Sequence, residues 1–155
     1  MKLLIIIICC IIIYTYCYYI FPTEISILQT EIDKFKLTSL SLRQPIVITD
    51  LLQDPTNLID SWFKYNIKKE DENIDNDWMQ NNHKYLFINA NKDTEIIIYK
   101  AETKRTNPTA EDNIIIIKLK KYQSLILPFK WKYYGTNFNK WAIDDLITFS
   151  FGRLF

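Results

Sequence analysis

Few side chains in this chain of 155 residues could carry out acid–base chemistry. His83 is the only histidine, and an imidazole can act as a general base, but the sequence does not identify a nucleophile that would work with it. Asp144 and Asp145 are adjacent, so on a strand their carboxylates would point to opposite faces of a sheet. Paired acid–base catalysis is therefore not expected from these two carboxylates, and a structural role is the simpler interpretation of His83.

Sites built from thiols or from phosphate-binding glycine loops are also not expected in the folded part of the chain. Cys9, Cys10 and Cys17 all lie in an apolar N-terminal run, which excludes disulfides and cysteine ligands elsewhere. Gly135 and Gly152 are the only glycines, too few for a P-loop, a dinucleotide fingerprint or a nucleophile elbow. We therefore predict no cofactor. The balance of 19 Lys and Arg against 18 Asp and Glu predicts no nucleic-acid partner.

Residues 68–77 form a strongly charged segment that includes the carboxylates of Asp71, Asp75 and Asp77. A calcium loop of the EF-hand type needs a central glycine and a terminal glutamate at fixed positions, and neither is present. We therefore predict a solvated loop without a bound metal.

Cations and aromatic rings alternate in residues 130–134, KWKYY, and Lys140 and Trp141 follow nearby. Such a segment can stack on bases, sugars or lipid headgroups. The simpler interpretation is a strand that buries alternate aromatic rings while its lysines remain in water.

An uncharged apolar run over residues 3–21 predicts a membrane anchor. A helix of this length spans about 28 Å, close to the roughly 30 Å hydrocarbon core of a bilayer. Tyrosines gather in its C-terminal half, where amphipathic rings favour the membrane interface. The lipid bilayer is therefore an expected partner. The residues that mark the predicted span are Leu3, Ile8, Ile13, Tyr18 and Phe21.

Two other interpretations of the apolar run stay open. A cleaved signal peptide would also begin with a basic residue such as Lys2, but it needs small residues at its cleavage site, and only Thr15 and Cys17 approach that pattern. A buried core element is disfavoured by the length of the run. The positive charge at Lys2 predicts a single-pass membrane protein with a cytoplasmic N-terminus and its domain across the membrane.

Two helices are predicted ahead of the main group of strands. In residues 23–36 apolar side chains recur at spacings of three and four, which predicts an amphipathic helix. Residues 43–49 predict a strand that enters the core. Asp54 at the N-cap and Pro55 at the first helical position then predict a helix that ends near Asn66.

The remaining chain predicts β-structure. Residues 84–89 and 94–99 flank a short polar link and predict a hairpin, and residues 114–120 and 124–128 predict a second strand pair. Residues 101–113 predict an exposed loop, and alternation in residues 143–155 predicts a final strand. The predicted fold is mainly β with flanking helices (α+β), a small β-sandwich or barrel of about six strands behind one transmembrane helix. The expected divisions are an anchor (1–22), a helical stalk or first domain element (23–42) and a β domain (43–155).

Two segments carry a resemblance to a known family. Residues 44–50, QPIVITD, followed by a predicted helix containing Trp62, resemble the opening of cupin-like domains related to the JmjC oxygenases. Residues 122–133, YQSLILPFKWKY, resemble a late strand of that family, where an apolar run leads to a proline, a tryptophan and then a metal-binding histidine. The resemblance covers the two ends of the domain and leaves its middle unaligned.

The resemblance implies a double-stranded β-helix, and in active members an Fe(II) ion held by a His-x-Asp/Glu pair and a distant histidine. Tyr133 stands at the position of that distant histidine, and the sequence contains no His-x-Asp or His-x-Glu. Iron-dependent oxygenase chemistry is therefore not expected. Because the family's pocket opens near the late strand, the resemblance places a possible ligand pocket at Trp131, Tyr133 and Trp141.

Taken together, these patterns predict a membrane-anchored protein whose cupin-like domain has a structural or binding role with an unknown protein or small-molecule ligand. A degenerate or unconventional enzyme that uses the same pocket is one alternative, and a secreted β domain released by signal cleavage is another. The richness in Ile, Asn, Lys and Tyr with only two Gly is typical of an AT-rich genome, such as that of a large DNA virus.

Overall fold

The computed structural model describes residues 2–19, 25–71, 77–100, 107–110 and 112–151. The helices in this part of the chain are α1 (Lys2–Tyr19), α2 (Thr56–Trp62) and α3 (Leu146–Phe151). The strands are β1 (Leu28–Thr30), β2 (Ile46–Ile48), β3 (Ile67–Asp71), β4 (Met79–Gln80), β5 (Tyr85–Ala90), β6 (Thr94–Tyr99), β7 (Ile114–Leu119), β8 (Ser124–Pro128), β9 (Lys132–Tyr134) and β10 (Phe138–Asp144). Short 3₁₀ helices at Ile32–Lys34 and Leu37–Leu42 lie between β1 and β2.

The strands form two sheets, which confirms the mainly β architecture that the sequence predicts. The larger sheet has the order β1-β2-β8-β5-β10-β3, and the smaller has the order β4-β9-β6-β7. Apolar side chains of both sheets meet in what we call the inter-sheet cluster, as in a β-sandwich. Its buried members are Val47, Leu86, Ile88, Ala90, Ile96, Ile98, Ile117, Leu119, Leu125, Leu127, Trp131 and Tyr133.

A second apolar layer, the outer cluster, covers the other face of the larger sheet. Alternate residues of one strand serve the two layers, since Val47 lies in the inter-sheet cluster while Ile46 and Ile48 lie in the outer cluster. Side chains of α2 and of the Leu37–Leu42 helix close this layer. Its buried members are Leu40, Ile46, Ile48, Ile59, Phe63, Phe87, Ile126, Trp141 and Ile143. Because both faces of the larger sheet are buried, the sequences of its central strands are nearly unbroken apolar runs.

The predicted helix over residues 23–36 is wrong where the chain is described. Leu28–Thr30 is β1, which pairs in parallel with β2 and extends the larger sheet. The backbone N–H of Ile32 donates to Asp50 Oδ2 at 2.7 Å and holds the following turn against the end of β2. Most of the apolar residues that recur at helical spacing do pack on the outer cluster. The backbone groups of β1 are hydrogen-bonded by pairing with β2, so no helix is needed to satisfy them.

The predicted hairpin and the predicted second strand pair are both wrong, although the strands themselves are confirmed. β5 pairs with β8 and β10 in the larger sheet, whereas β6 pairs with β7 and β9 in the smaller one. β7 and β8 likewise belong to different sheets. The short links at residues 91–93 and 120–123 carry the chain from one sheet to the other, because each strand must bury apolar residues between the sheets.

Two further predictions, one at β3 and one after β10, are corrected. Part of the predicted charged loop is β3, which pairs with β10, while residues 72–76 lie outside the described residues. The predicted last strand is instead the end of β10 followed by α3. Asp145 turns the chain into this helix, because its Oδ1 accepts hydrogen bonds from the backbone N–H and the hydroxyl of Thr148 at 2.8 and 2.9 Å.

The apolar N-terminal run is helical in α1, and most of its described side chains are exposed. Leu3, Ile8 and Ile13 are 73%, 47% and 62% exposed. The side chain of Tyr18 and the whole of Phe21 lie outside the described residues. Among the residues that are described, no helix combines the length and the apolar character needed to cross a membrane.

Candidate functional site

The structure does not bring together the three aromatic residues of the predicted ligand pocket. Trp131 and Tyr133 are buried in the inter-sheet cluster, whereas Trp141 is buried in the outer cluster, on the other face of the larger sheet. The indole N–H of Trp131 donates to the backbone carbonyl of Arg43 at 3.4 Å. None of the three lines either of the two cavities described below.

Two of the three lysines beside these aromatic rings are buried, contrary to the expectation that they stay in water, whereas Lys130 is half-buried. Lys132 is 0% exposed and Lys140 is 1% exposed. Lys140 alternates with Trp141 along β10, so its side chain enters the space between the sheets, where Nζ lies 3.2 Å from Asp71 Oδ2 and 6.0 Å from the centre of the Tyr133 ring. A buried ammonium requires such partners because desolvation penalises its charge.

The surroundings of Tyr133, the residue that the resemblance places at a metal-binding position, do not fit Fe(II). Tyr133 pairs directly with Met79 across β9 and β4, and its hydroxyl lies 4.0 Å from the methionine sulfur. A phenol and a thioether are not the imidazole and carboxylate ligands that this iron site needs. The described residues contain no group of three or more His, Cys, Asp or Glu that could hold a metal ion.

His83 and Asp144 form a pair that the sequence analysis did not connect. The Nδ1 atom of His83 lies 2.7 Å from Asp144 Oδ2, and the backbone N–H of Lys84 donates to Asp144 Oδ1 at 2.9 Å. Asp144 is buried at the end of β10, and His83 is partly exposed. A carboxylate at Nδ1 orients the imidazole and leaves Nε2 as the ring nitrogen available to a bound molecule.

Asn81 fixes the short segment that carries His83. Its side-chain amide donates to the carbonyl oxygens of Leu127 and Pro128 at 2.8 and 2.9 Å, and its Oδ1 accepts the backbone N–H of His83 at 2.9 Å. Asn81 is itself buried. The imidazole is therefore held from two sides, by β8 through Asn81 and by β10 through Asp144.

A cavity of about 360 Å³ opens beside this pair. Its polar lining residues are Lys69, Asn82, His83, Asp144 and Thr148, and its apolar ones are Ile67, Ala142 and Phe149. Lys69 and Ala142 are direct partners in the β3–β10 ladder, and α3 closes the cavity with Thr148 and Phe149. Its volume is at the lower end of the range for small-molecule sites.

A second cavity, of about 420 Å³, lies at the outer cluster. The rings of Trp62, Phe63, Tyr85 and Phe129 line it, together with the cationic side chains of Arg43 and Lys84. Lys84 Nζ is already 2.8 Å from Asp145 Oδ2, so part of this charge is compensated. Arg43 has a φ of 53°, an unusual left-handed conformation for a residue other than glycine, at the end of the Leu37–Leu42 helix.

His83 and Asp144 are each recognisable in the sequence as residues that could do chemistry. Their pairing is not, because 61 positions separate them. Asp144 and Asp145 do diverge as predicted, with Asp144 directed to His83 and Asp145 to Lys84 and Thr148. No local pattern marks such a long-range pairing. Comparison of the chain with protein-family models, curated proteins and solved structures finds no match.

Proposed function

We propose that this protein is a single-pass membrane protein whose β domain is a cupin-like binding or structural module without catalytic activity. The observation that carries the membrane part is the exposure of α1. Eight of its isoleucine and leucine side chains, from Leu3 to Ile13, are between 47% and 73% exposed. None of the described residues of α1 belongs to the inter-sheet or the outer cluster.

The bilayer is the proposed partner because an apolar helix of this kind gains free energy in a hydrocarbon environment. Isoleucine and leucine each contribute about −0.3 to −0.6 kcal/mol to insertion. The 18 residues of α1 would extend about 27 Å, and the uncharged sequence continues to Phe21. Lys2 ahead of the run supports a cytoplasmic N-terminus.

The order of the strands supports the cupin-like part of the proposal. From β3 to β10 the larger sheet has the order β8-β5-β10-β3 and the smaller has β4-β9-β6-β7. Most successive strands thus alternate between two four-stranded, antiparallel layers, as in the double-sheet jelly rolls to which cupins belong. The non-catalytic part rests on Tyr133, which stands where the resemblance expects a metal-binding histidine, and on the absence of any His-x-Asp or His-x-Glu from the sequence.

The test is membrane extraction combined with protease protection and mass analysis of the full-length chain. We expect an intact chain that resists carbonate extraction, with its domain digested from one side of the membrane only. The double variant Ile11→Asp/Ile12→Asp should move the protein to the extractable fraction, because each charge near the centre of a span costs roughly 2.5 to 3.5 kcal/mol. Its matched control, Ile11→Leu/Ile12→Leu, should remain in the membrane.

Two outcomes would contradict the membrane proposal. An extractable full-length chain would mean that α1 does not anchor the domain. A soluble chain that begins between residues 18 and 23 would identify the run as a signal peptide and the mature protein as a secreted β domain.

A further inference from the structure

We propose that the cavity beside His83 binds a small organic carboxylate with a short apolar tail. This inference rests on the binding role proposed above for the β domain and names the ligand class and the residues that recognise it. The ligand class follows from which polar groups around the cavity are already hydrogen-bonded within the protein and which remain to bind a ligand.

The acceptor groups of the cavity are engaged within the protein. Asp144 accepts from His83 Nδ1 and from the backbone of Lys84, and little of its side chain reaches solvent. Asn82 Oδ1 accepts from Gln80 Nε2 at 2.9 Å, and the hydroxyl of Thr148 donates to Asp145. A cationic ligand would therefore find no carboxylate available to pair with it among the described residues of the cavity lining.

The groups that remain are donors. Lys69 lines the cavity and has no hydrogen-bond or ion-pair partner among the described residues. The side-chain amide NH₂ of Asn82 remains as a donor, because its Oδ1 already accepts a hydrogen bond from Gln80. His83 in its doubly protonated form donates from Nε2 while Asp144 holds Nδ1, which places an imidazolium between two carboxylates when the ligand is bound.

The remaining walls of the cavity favour an apolar group next to that anion. Ile67, Ala142 and Phe149 line the cavity, and Phe149 is 61% exposed although it is a large apolar ring. The volume of about 360 Å³ suits a chain of a few carbons. A bound carboxylate group would contact the polar side of the cavity at Lys69 and His83. Its apolar tail would pack on the apolar side against Ile67 and Phe149.

The test is a titration of the full-length chain in phosphatidylcholine nanodiscs, repeated at several values between about pH 5 and pH 8. His83 is the only histidine, so ¹⁵N-histidine labelling gives imidazole signals from this one ring. The probes are hexanoate, hexylammonium, 1-hexanol and inorganic phosphate. We expect a saturable shift of the ring nitrogens with hexanoate, a weaker response to phosphate, and no saturable shift with the other two.

Adjacent lysines on β3 supply a matched pair of variants. Lys69→Met should weaken hexanoate binding about tenfold, the typical effect of losing a charge-assisted hydrogen bond. Lys68→Met should leave binding unchanged, because the Lys68 side chain pairs with Asp60 on α2 rather than lining the cavity. Urea unfolding of both variants verifies that each is folded, and Lys69→Glu, which reverses the charge, should abolish hexanoate binding.

Different failures have different meanings. A saturable shift with hexylammonium or hexanol but not hexanoate, or equal binding by the two methionine variants, would overturn the carboxylate assignment and leave a binding role for the domain. No shift with any probe would overturn both the assignment and the role of this cavity in binding. Membrane extraction is measured separately, so neither result affects the proposed anchor.

Discussion

At the scale of single residues, the β domain is organised by buried polar side chains that are fully hydrogen-bonded. Among the described residues no buried side-chain nitrogen or oxygen lacks a partner. Asn89 donates to Leu52 O, Tyr122 O and Ser124 Oγ, and Asn81 makes the contacts that hold His83. Because a buried polar group without a partner is costly, these residues specify one arrangement of the loops around them.

The substitution Asn81→Ala tests this role of Asn81. It leaves the carbonyls of Leu127 and Pro128 and the backbone N–H of His83 without their side-chain partner, so we expect the free energy of unfolding to fall by about 2 to 3 kcal/mol. Urea unfolding followed by tryptophan fluorescence measures the change. The control Asn82→Ala removes an exposed neighbour and should change stability by less than about 0.5 kcal/mol. Equal effects of the two substitutions would contradict the argument.

At the scale of elements, local sequence signals and observed structure agree best at α2. The sequence predicts a helix that starts at Pro55 and ends near Asn66, and the observed helix starts one residue later, at Thr56, but ends earlier, at Trp62. Asp54 Oδ1 accepts the backbone N–H of Thr56 at 2.9 Å and also its hydroxyl. Such a signal is predictable because the residues that make it are adjacent in the chain.

The pH dependence of stability tests the start of α2. Hydrogen bonds from the Thr56 hydroxyl and then from its backbone N–H hold the pKa of Asp54 below its ordinary value. A folded-state pKa below the unfolded one stabilises the fold above the unfolded pKa, and this contribution is lost as the pH falls through the folded value. At pH 6 the urea midpoint of unfolding should therefore be higher for the wild type than for the Asp54→Asn variant. This difference in midpoint should vanish towards pH 2.5.

Thr56→Val serves as the control for this experiment, because it keeps the carboxylate but removes the hydroxyl that contributes most to the lower pKa. In that background, the pH-dependent effect of the Asp54→Asn substitution on the urea midpoint should be smaller. A difference that stays constant from pH 6 to pH 2.5 would show that the ionised Asp54 carboxylate does not stabilise the helix start.

Strand positions were largely predictable, but strand partners were not. The apolar segments that became β2, β5, β6, β7 and β8 stand out because β-branched and aromatic residues suit a half-buried or buried pleated surface. The predicted hairpin and the predicted second strand pair failed because proximity in sequence favours pairing only when a turn can join the strands within one sheet. Here the links cross between sheets, and each strand finds partners far along the chain.

At the scale of the whole molecule, the larger sheet connects two apolar layers while α1 stands outside both. Strands such as β2 contribute alternate residues to each layer, so the inter-sheet and outer clusters should lose their packing together. The described residues of α1 make no contribution to either layer. The domain is therefore expected to fold independently of α1.

Removal of residues 1–19 tests this independence. The shortened chain should be soluble and should unfold in urea with a free energy within about 0.5 kcal/mol of the full-length protein in mild detergent. Tryptophan fluorescence follows the domain in both, since all four tryptophans lie between residues 62 and 141. A loss of more than about 2 kcal/mol would mean that α1 packs on the domain and would weaken its assignment to the membrane.

The sequence by itself determined which segments are apolar enough to be buried, that the N-terminal run is helical, and that the domain is mainly β. These properties depend on residue type and on spacings of a few residues, which the chain carries locally. Only the tertiary structure decided the exchange of strands between the sheets, the burial of Lys132 and Lys140, and the meeting of His83 with Asp144. The reason is physical: alternation specifies which face of a strand is buried, whereas the neighbours that a strand meets depend on how the whole chain closes around a shared core.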